Sequence, residues 1–489
     1  MGRSSCQRAQ PIGVCVVWMM SVLLAACGAS QTAPPLPESA PPAIAEVHGP
    51  IGDAGLRGHA LWDSWIDLAD LGYDEQEYFV SGVAEHADDP QQTAPYTTRI
   101  IVRRPQDPAR FNGTVILEWV NVSAQFENAV DTLAAHPLFH RDGYAYVHVS
   151  AQAAGLCCLP LLTPKLWDPL RYADLDHPGD DYAFDLFSQI ARVFRAPQTA
   201  DAIDVMAGLP VQRIIAVGQS QSANRLREYL NRVQPHAAAI DAFLIHADGP
   251  TSKDYPRDPA VPTLQLLSER EARPEPPTVS HNYRLWEIAG AAHQDYWVGA
   301  HQIQAQSLRA LAGIRQPADA DEQLDQRVGA YGERLDVGQF ACVIEGAQFP
   351  MRYAVMAAID ALDRWLRSGQ PPNNGPRFAF NENGQLARDA NGNALGGVRL
   401  PPIAVPVAQY HADLCDLGGI TIPFTRAELA RRYPTHADYQ CQMQAATARA
   451  MAEGFLLPED GTDLMQRVAN ARSRWNQAGT PDDCATPAP

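Results

Sequence analysis

The segment Arg213–Leu230, "RIIAVGQSQSANRLREYL", holds two serines separated by one residue. A serine hydroxyl becomes a strong nucleophile only when a neighbouring base takes its proton, so the chemistry in question is covalent catalysis. The letters "IIAV" indicate a buried strand and "ANRLREYL" indicates a helix, with only "GQSQS" between them. A strand, a sharp turn and a helix form the setting of a nucleophile elbow, whose usual pattern is G-x-S-x-G.

The sizes of the neighbouring residues select one of the two serines. The central residue of an elbow has a strained backbone, and the residues two before and two after it must be small. If Ser220 is central, those neighbours are Gly218 and Ser222, and both fit. If Ser222 is central, they are Ser220 and Asn224, and asparagine is bulkier. The sequence therefore predicts Ser220 as the nucleophile, with serine in place of the second glycine.

His293 is the predicted general base. It lies in "YRLWEIAGAAHQD", where a predicted strand is followed by small residues and then by the histidine. Small residues allow the loop to bring the imidazole over the edge of the sheet. A single histidine is more often structural, but this one follows the last strand in the chain order Ser, acid, His that elbow enzymes use.

The acid that would orient the histidine has three candidates. The letters "SERE" follow the predicted strand Thr263–Leu267 and contain Glu269 and Glu271. A position one short turn beyond the strand favours Glu271, and Glu269 remains the alternative. Asp248 is the third candidate, because some variants of this layout carry the acid one strand earlier. The carboxylate holds the imidazole tautomer and stabilises the imidazolium.

Two backbone N–H groups are needed to stabilise the oxyanion that forms during acyl transfer. The amide of Gln221 is one predicted donor, because it follows the nucleophile directly. The second donor is expected in the loop after an early strand. The segment "TVILEWVNVSAQF" places the backbone of Asn121 and Val122 in that loop.

Neither a metal nor a cofactor is predicted for this chemistry. His136 and His140 are four residues apart, but Pro137 weakens a helical metal-binding pair. The segment "DANGNALGG", which begins at Asp389, has some of the letters of a calcium loop. It lacks the glycine and the glutamate that such a loop needs at its sixth and twelfth positions, so the sequence favours a turn.

The elements that would position these residues alternate along the chain. Short continuous apolar runs suit strands buried on both faces, and helical patterns lie between them. This alternation predicts an α/β fold with a mostly parallel, doubly wound sheet flanked by helices. The predicted strands are Arg99–Arg103, Thr114–Val120, Tyr144–Val149, Arg213–Val217, Ala242–His246, Thr263–Leu267 and Tyr283–Ile288. The predicted helices are Phe184–Arg195, Thr199–Leu209, Ala223–Val233 and Met351–Gly369.

The N-terminus predicts export. Arg3 and Arg8 precede an apolar run too short to span a bilayer comfortably, which is the layout of a secretory signal over residues 1–26. The letters "LLAAC" are similar to a bacterial lipobox, which predicts cleavage before Cys27 and a lipid anchor on that cysteine. The alternative is an ordinary signal cleaved near Ala26. We expect a protein of the cell envelope, held on a membrane through its lipids.

Three further regions follow the signal. Residues 27–46 are rich in Pro, Ala and Ser, which predicts an extended tether. Residues 47–410 are assigned to the main domain, including hairpins near its end, and residues 411–489 to a helical extension or lid.

The net charge bears on binding partners, and the cysteines bear on disulfide bonding. The net charge of −18 argues against nucleic acid, whose phosphates require many Lys and Arg contacts. Six cysteines remain after Cys27, and an exported compartment permits disulfides among them. Six cysteines allow 15 pairings, which the sequence does not distinguish, and it leaves the oligomeric state open as well. The six are Cys157, Cys158, Cys342, Cys415, Cys441 and Cys484.

Taken together, several segments resemble a group of bacterial α/β-hydrolase-domain proteins with little assigned function. They are "GTVILEWVNVS", "GYAYVHVSAQAAG", "LDHPGDDYAFDLFSQ", "AVGQSQSA", "LQLLSERE", "LWEIAGAAHQD" and "GNALGGVRLPPIAVPVA". The resemblance covers most of residues 45–410. It implies an α/β-hydrolase fold with Ser220 and His293 in a catalytic triad. Relatives carry Ser-Glu-Thr-Asp where this chain has Ser-Glu-Arg-Glu, so Glu269 matches directly while Glu271 replaces Asp.

The residues and the resemblance together predict a serine hydrolase that cleaves a small-molecule carboxylic ester without a cofactor. The alternatives on the same site are acyl transfer and the hydrolysis of an amide or a lactone. A different class of alternative is a binding lipoprotein that keeps the fold without catalysis, because a fold does not fix a function.

Overall fold

The computed structural model describes residues 43–156, 162–195, 202–248, 255–275, 277, 280–317, 331–332, 347–415, 417–476 and 478–479. The predicted signal, most of the tether and Cys27 lie outside these ranges. Within them, every helix is too short or too polar to cross a lipid bilayer.

The described residues form one large sheet and one small one. The large sheet has the order β1-β2-β3-β5-β4-β6-β7-β8-β9, and β10 and β11 form the small sheet. Strands β4 to β9 pair with one another in parallel, whereas the pairs β1–β2, β2–β3 and β3–β5 are antiparallel. The strands are β1 Glu46–His48, β2 Tyr73–His86, β3 Asp89–Pro105, β4 Thr114–Trp119, β5 Ala145–Val149, β6 Arg213–Gln219, β7 Ala242–His246, β8 Thr263–Leu267, β9 Tyr283–Glu287, β10 Ala408–His411 and β11 Ile420–Pro423.

Helices cover both faces of the large sheet. They are α1 Val130–Asp142, α2 Ala153–Leu156, α3 Pro164–Trp167, α4 Ala183–Val193, α5 Gln221–Arg232, α6 Gln234–Ala237, α7 Ile303–Ala312, α8 Met351–Ser368, α9 Pro401–Ala404, α10 Arg426–Arg432, α11 His436–Glu453 and α12 Pro458–Asn470. A π-helical segment, Trp297–Gln302, leads into α7.

The seven apolar runs are all strands, and the predicted doubly wound sheet is confirmed. Alternate side chains of one strand enter different cores, because successive residues point to opposite faces of a sheet. In β6, Ile215 packs with the cluster that includes α1 and α8, while Ile214 packs with the cluster that includes α4 and α5. Both faces are buried, which explains why these strands lack the polar alternation of a one-sided sheet.

One local prediction differs from the structure, and one element was not predicted. The predicted helix Thr199–Leu209 is wrong where the chain is described, because residues 205–208 form a turn. The side chain of Asp204 accepts the N–H of Met206 and of Gly208, which removes two donors from helical bonding. The long hairpin of β2 with β3 was not predicted beyond residues 99–103, because its outer part is polar and half exposed.

The C-terminal helices pack against the main body. Tyr439 of α11 and Leu464 of α12 belong to the same apolar cluster as Phe349 and Ile288, which follows β9. Cys415 and Cys441 are both disulfide-bonded, and the other four cysteines that follow Cys27 lie outside the described residues. The role of residues 411–489 as a lid remains a prediction.

Candidate active site

Ser220 occupies the sharp turn between β6 and α5. Its backbone angles are φ 63° and ψ −119°, a region that non-glycine residues rarely adopt. A residue held there costs about 1–3 kcal/mol, so the surroundings must enforce it. The N–H of Ser220 donates to the carbonyl of His246 at 2.9 Å, and the N–H of Asn224 donates to the carbonyl of Ser220 at 3.1 Å.

The two neighbours of the turn are small for a steric reason. A Cβ atom added to Gly218 would lie 3.0 Å from Leu226 and 3.2 Å from the hydroxyl of Ser222. Ser222 is fully buried, and its Oγ accepts the N–H of Gln219 at 3.1 Å and donates to the Gln219 carbonyl at 2.8 Å. The hydroxyl of Ser222 is therefore used within the turn, whereas Ser220 is partly exposed at its apex.

His293 and Glu271 form a buried hydrogen-bonded pair. The Nδ1 of His293 lies 2.7 Å from Oε1 of Glu271, and because a carboxylate only accepts, Nδ1–H is the donor. This tautomer leaves Nε2 as the proton acceptor. Burial alone would raise the pKa of Glu271, but hydrogen bonds from His293 and Ser268 outweigh it and hold that pKa below its ordinary value. Glu271 is thus an anion at neutral pH.

A short turn places Glu271 at this position. Glu269–Glu271 is a 3₁₀ turn directly after β8, and Ser268 caps it. The second carboxylate oxygen of Glu271 accepts the N–H of Ser268 at 3.0 Å and its hydroxyl at 2.6 Å. One oxygen is held by the cap and the other faces His293, so the carboxylate is fixed before any substrate binds.

Glu269 has a different set of partners. Its Oε1 accepts the N–H of Gly290 at 2.7 Å, and its Oε2 pairs with Arg388 at 3.1 Å. Burial raises the pKa of Glu269 to about 7, despite the opposing charge of Arg388. Glu269 therefore braces the start of the loop that carries His293, and the structure records no contact between their side chains.

Asp248, the third candidate acid, is also directed elsewhere. It accepts a hydrogen bond from Gln265 at 2.5 Å and forms ion pairs with Arg227 and Arg273. Among the three candidate carboxylates, all of which are described, Glu271 alone is recorded in contact with His293.

The loop of His293 is joined to the elbow strand. The side-chain N–H of Gln219 donates to the main-chain carbonyl of His293 at 3.0 Å. Gln219 precedes Ser220 directly, so the histidine loop lies beside the turn that carries the serine. Parallel strands β6, β8 and β9 end at one edge of the sheet, and the three predicted triad residues follow those ends.

The predicted oxyanion donors differ in what they already bind. The N–H of Asn121 donates to the carbonyl of Asn128 at 2.9 Å, and its side chain donates to the carbonyl of Gln219 at 3.0 Å. The main-chain N–H of Asn121 therefore already has an acceptor, and the structure does not support Asn121 as an oxyanion donor. Gln221 begins α5, so its N–H has no acceptor within the helix. No acceptor is recorded for Val122 among the described residues, which leaves Gln221 with Val122 as the candidate pair.

The candidate metal ligands of the sequence have other roles. The Nε2 of His140 lies 2.8 Å from the Tyr146 hydroxyl, and α1 forms despite Pro137. Asp389 accepts the N–H groups of Asn391 and Asn393 in a turn. In the part of the chain that the structure describes, no group of three or more His, Cys, Asp or Glu side chains is arranged to hold a metal ion.

A cavity of about 500 Å³ lies apart from these residues. Its walls include Asp63, Glu77, Arg171 and Arg309, and none of the residues that line it belongs to the elbow or to the histidine loop. Arg309 pairs with Asp63 and Arg171 pairs with Glu77, so these charges satisfy one another. The cavity is therefore separate from the candidate active site.

The sheet order, the elbow after β6 and the histidine loop after β9 define an α/β-hydrolase fold. The chain matches the family described as "Alpha/beta hydrolase domain" over residues 46–466, and it belongs to that family. A comparison with curated proteins gives no significant match.

Similar solved structures are distant in sequence. A ferulic acid esterase from Streptomyces cinnamoneus has 13% identity and a TM-score of 0.35, covering 62% of this chain and 92% of the esterase. A CE15 glucuronoyl esterase from Teredinibacter turnerae has 10% identity and a TM-score of 0.26, covering 67% and 80%. An α/β serine hydrolase without a lid from Xanthomonas campestris has 13% identity and a TM-score of 0.27, covering 48% and 94%.

Sequence reasoning missed several residues that shape this site. In the pattern "GQSQS", Gln219 occupies a variable position to which no role was given. Asn121 was predicted only as a main-chain donor. Arg388 is distant in sequence from Glu269, which it partners. The one available signal was Ser268, because Ser followed three residues later by Glu is a capping-box pattern.

The raised pKa of Glu269 gives a stability prediction. Its pKa is near 4.5 in the unfolded chain and about 7 in the folded protein, so the folded state binds more protons between these values. Stability therefore falls as pH rises through this window, and the change is complete above pH 7. Glu269→Gln cannot ionise, so the variant should gain stability relative to wild type by up to about 3 kcal/mol between pH 5 and pH 8.

Urea unfolding of both proteins at pH 5 and pH 8 measures this difference. Taking the difference between the two proteins removes the contributions of other buried acids, such as Asp295 and Asp460, whose pKa burial also raises. A constant gap between wild type and variant at both pH values would show that Glu269 is ionised throughout.

Proposed function

We propose that this protein is a serine esterase that cleaves a carboxylic ester through an acyl-enzyme. The observation that carries the proposal is an elbow serine, held at φ 63°, that directly follows a strand to which the loop of a buried His293–Glu271 pair is hydrogen-bonded. Membership of the α/β-hydrolase family supports it.

The first half of the proposed reaction assigns a role to each of these groups. The Oγ of Ser220 attacks the ester carbonyl carbon while Nε2 of His293 takes the hydroxyl proton. The carboxylate of Glu271 stabilises the imidazolium through Nδ1–H. The N–H groups of Gln221 and Val122 donate to the oxyanion of the tetrahedral intermediate. When the carbon–oxygen bond breaks, His293 returns the proton to the departing alcohol.

Water completes the cycle. His293 takes a proton from a water molecule, whose oxygen attacks the acyl carbon bound to Ser220. A second tetrahedral intermediate forms and collapses, the carboxylic acid leaves, and the proton returns to the Ser220 oxygen. These steps need no redox partner or further group.

Hydrolysis of p-nitrophenyl esters of graded acyl length tests the proposal. Turnover that an alkyl fluorophosphonate abolishes irreversibly is the expected result. Release of acyl groups to an added alcohol in preference to water would assign acyl transfer instead, and preferential cleavage of anilides or lactones would assign an amidase or a lactonase. A folded protein that neither turns over esters nor reacts with the fluorophosphonate would be a binding protein, and the proposal would fail.

We propose further that the esterase is exported and anchored through Cys27. The support is the sequence motif "LLAAC", since residues 1–42 lie outside the described ranges. Each buried methylene of an acyl chain contributes about 0.8 kcal/mol, so several chains hold a protein stably on a membrane. The enzyme would then bind its ester substrate in the cell envelope.

Cys27→Ser should release the protein from the membrane fraction. When the chain is expressed in a bacterium fed labelled palmitate, we expect label on wild type and none on the variant. Cys15→Ser is the matched control, because it changes a cysteine within the predicted signal and should keep both the label and the membrane fraction. Equal labelling of wild type and Cys27→Ser would contradict the anchor.

A further inference from the structure

We propose that Gln219 is a positioning residue that sets the place of His293 relative to Ser220. The inference rests on the proposed esterase function and extends it to a residue that the triad does not include. Gln219 is the last residue of β6 and is buried, and its side-chain N–H donates to the His293 carbonyl at 3.0 Å.

The main chain of Gln219 is held at both of its polar atoms. Its N–H donates to Oγ of Ser222 at 3.1 Å, and its carbonyl accepts from Ser222 at 2.8 Å and from the Asn121 side chain at 3.0 Å. Gln219 also pairs with His246 in the register of β6 and β7. Because the main chain of Gln219 is fixed, its side-chain amide can hold a hydrogen-bond partner in a defined position.

A hydrogen bond to the imidazole ring alone does not fix the main chain of His293. Glu271 holds Nδ1 of the imidazole through one hydrogen bond. The bond from Gln219 fixes the main-chain carbonyl of the same residue, so the ring and the backbone are both held. Together the two bonds determine where Nε2 points.

The rest of the loop has its own anchors. The N–H of Gln294 donates to the carbonyl of Leu417 at 3.0 Å, and the N–H of Gly290 donates to Glu269 at 2.7 Å. Loss of the Gln219 bond should therefore displace His293 locally without unfolding the loop. A displacement near 1 Å at a catalytic group can lower a rate by about 100-fold.

Gln219→Met keeps the length of the side chain and removes its donor. In the full-length protein we expect kcat for p-nitrophenyl acetate to fall by about 10- to 100-fold, with KM within about twofold of wild type. The rate of fluorophosphonate labelling should fall by a similar factor. Gln265→Met is the matched control, because Gln265 is a fully buried glutamine on β8 whose bonds go to Asp248 and Tyr283. It should lower the melting temperature without this change in kcat.

Gln219→Glu adds a signature that a purely structural role would not produce. A carboxylate cannot donate to the His293 carbonyl, whereas a protonated carboxyl can. The ratio of kcat in Gln219→Glu to kcat in wild type should therefore rise as pH falls from 8 to 5. The comparison with wild type at each pH removes the titration that the two proteins share.

The possible results distinguish a failure of the positioning role from a failure of the proposed esterase function. Wild-type kcat in Gln219→Met, or a pH-independent ratio in Gln219→Glu, would overturn the positioning role while leaving the esterase intact. Absence of turnover and labelling in wild type itself would overturn the proposed function instead, and the positioning role would fall with it.

Discussion

Ser220→Ala is expected to abolish ester hydrolysis, with kcat falling by about 10⁴-fold or more. The reason is that, in the proposed reaction, the acyl bond forms on the Ser220 oxygen at the apex of the turn. Binding should persist, because the oxyanion donors belong to the backbone and remain. Steady-state kinetics on p-nitrophenyl acetate, with binding of a non-hydrolysable ester analogue by calorimetry, separates the two effects.

Ser222→Ala is the matched control for that result. The Ser222 hydroxyl is buried and makes both of its hydrogen bonds to Gln219 within the turn. Its loss should lower the free energy of unfolding by about 1–3 kcal/mol and leave much of kcat. If Ser222→Ala is inactive and Ser220→Ala retains turnover, the choice of nucleophile is wrong.

Glu271→Gln is expected to have the second largest effect, a fall in kcat of about 10³- to 10⁴-fold with little change in KM. An amide in this place can donate to Nδ1, which would favour the wrong tautomer of His293, and it carries no charge to stabilise the imidazolium. Because the pKa of Glu271 lies below its ordinary value, the wild-type carboxylate is ionised across the neutral range. Stopped-flow measurement of the acylation burst reports the loss directly.

Glu269→Gln provides the matched comparison. It neutralises a carboxylate in the same 3₁₀ turn, two residues away, and removes the ion pair with Arg388. We expect a change in kcat below about tenfold, since Glu269 braces the loop and makes no recorded contact with the imidazole. A larger loss in Glu269→Gln than in Glu271→Gln would identify Glu269 as the acid of the triad.

The sheet was predictable because strands buried on both faces are continuous runs of apolar residues in the sequence. Runs such as "TLQLL" and "AFLIH" are apolar on consecutive residues, and both became strands with the predicted bounds. The outer hairpin of β2 and β3 carries polar residues on its exposed part and gave no such signal. The predicted helix at residues 199–209 had the right composition, but a local side-chain cap at Asp204 prevailed over it where the chain is described.

The candidate site was predictable to the extent that it depends on local geometry. A sharp turn limits the size of its neighbours, and that limit pointed to Ser220 without knowledge of the fold. Contacts between segments distant in the chain were not accessible in the same way. The bonds from Gln219 to His293 and from Asn121 to Gln219 join three separate strand ends. Their partners depend on the sheet order and not on any spacing within a motif.

Mass spectrometric mapping of the fluorophosphonate adduct tests the central claim most directly. The intact wild-type protein should gain the mass of one phosphonyl group, and fragmentation of the peptide containing "GQSQSANR" should place it on Ser220. A single adduct on Ser220 that is lost in Ser220→Ala and slowed in Glu271→Gln is the predicted result. An adduct on Ser222 or elsewhere, or ester turnover that continues with Ser220 unmodified, would contradict the assignment of Ser220 as the nucleophile.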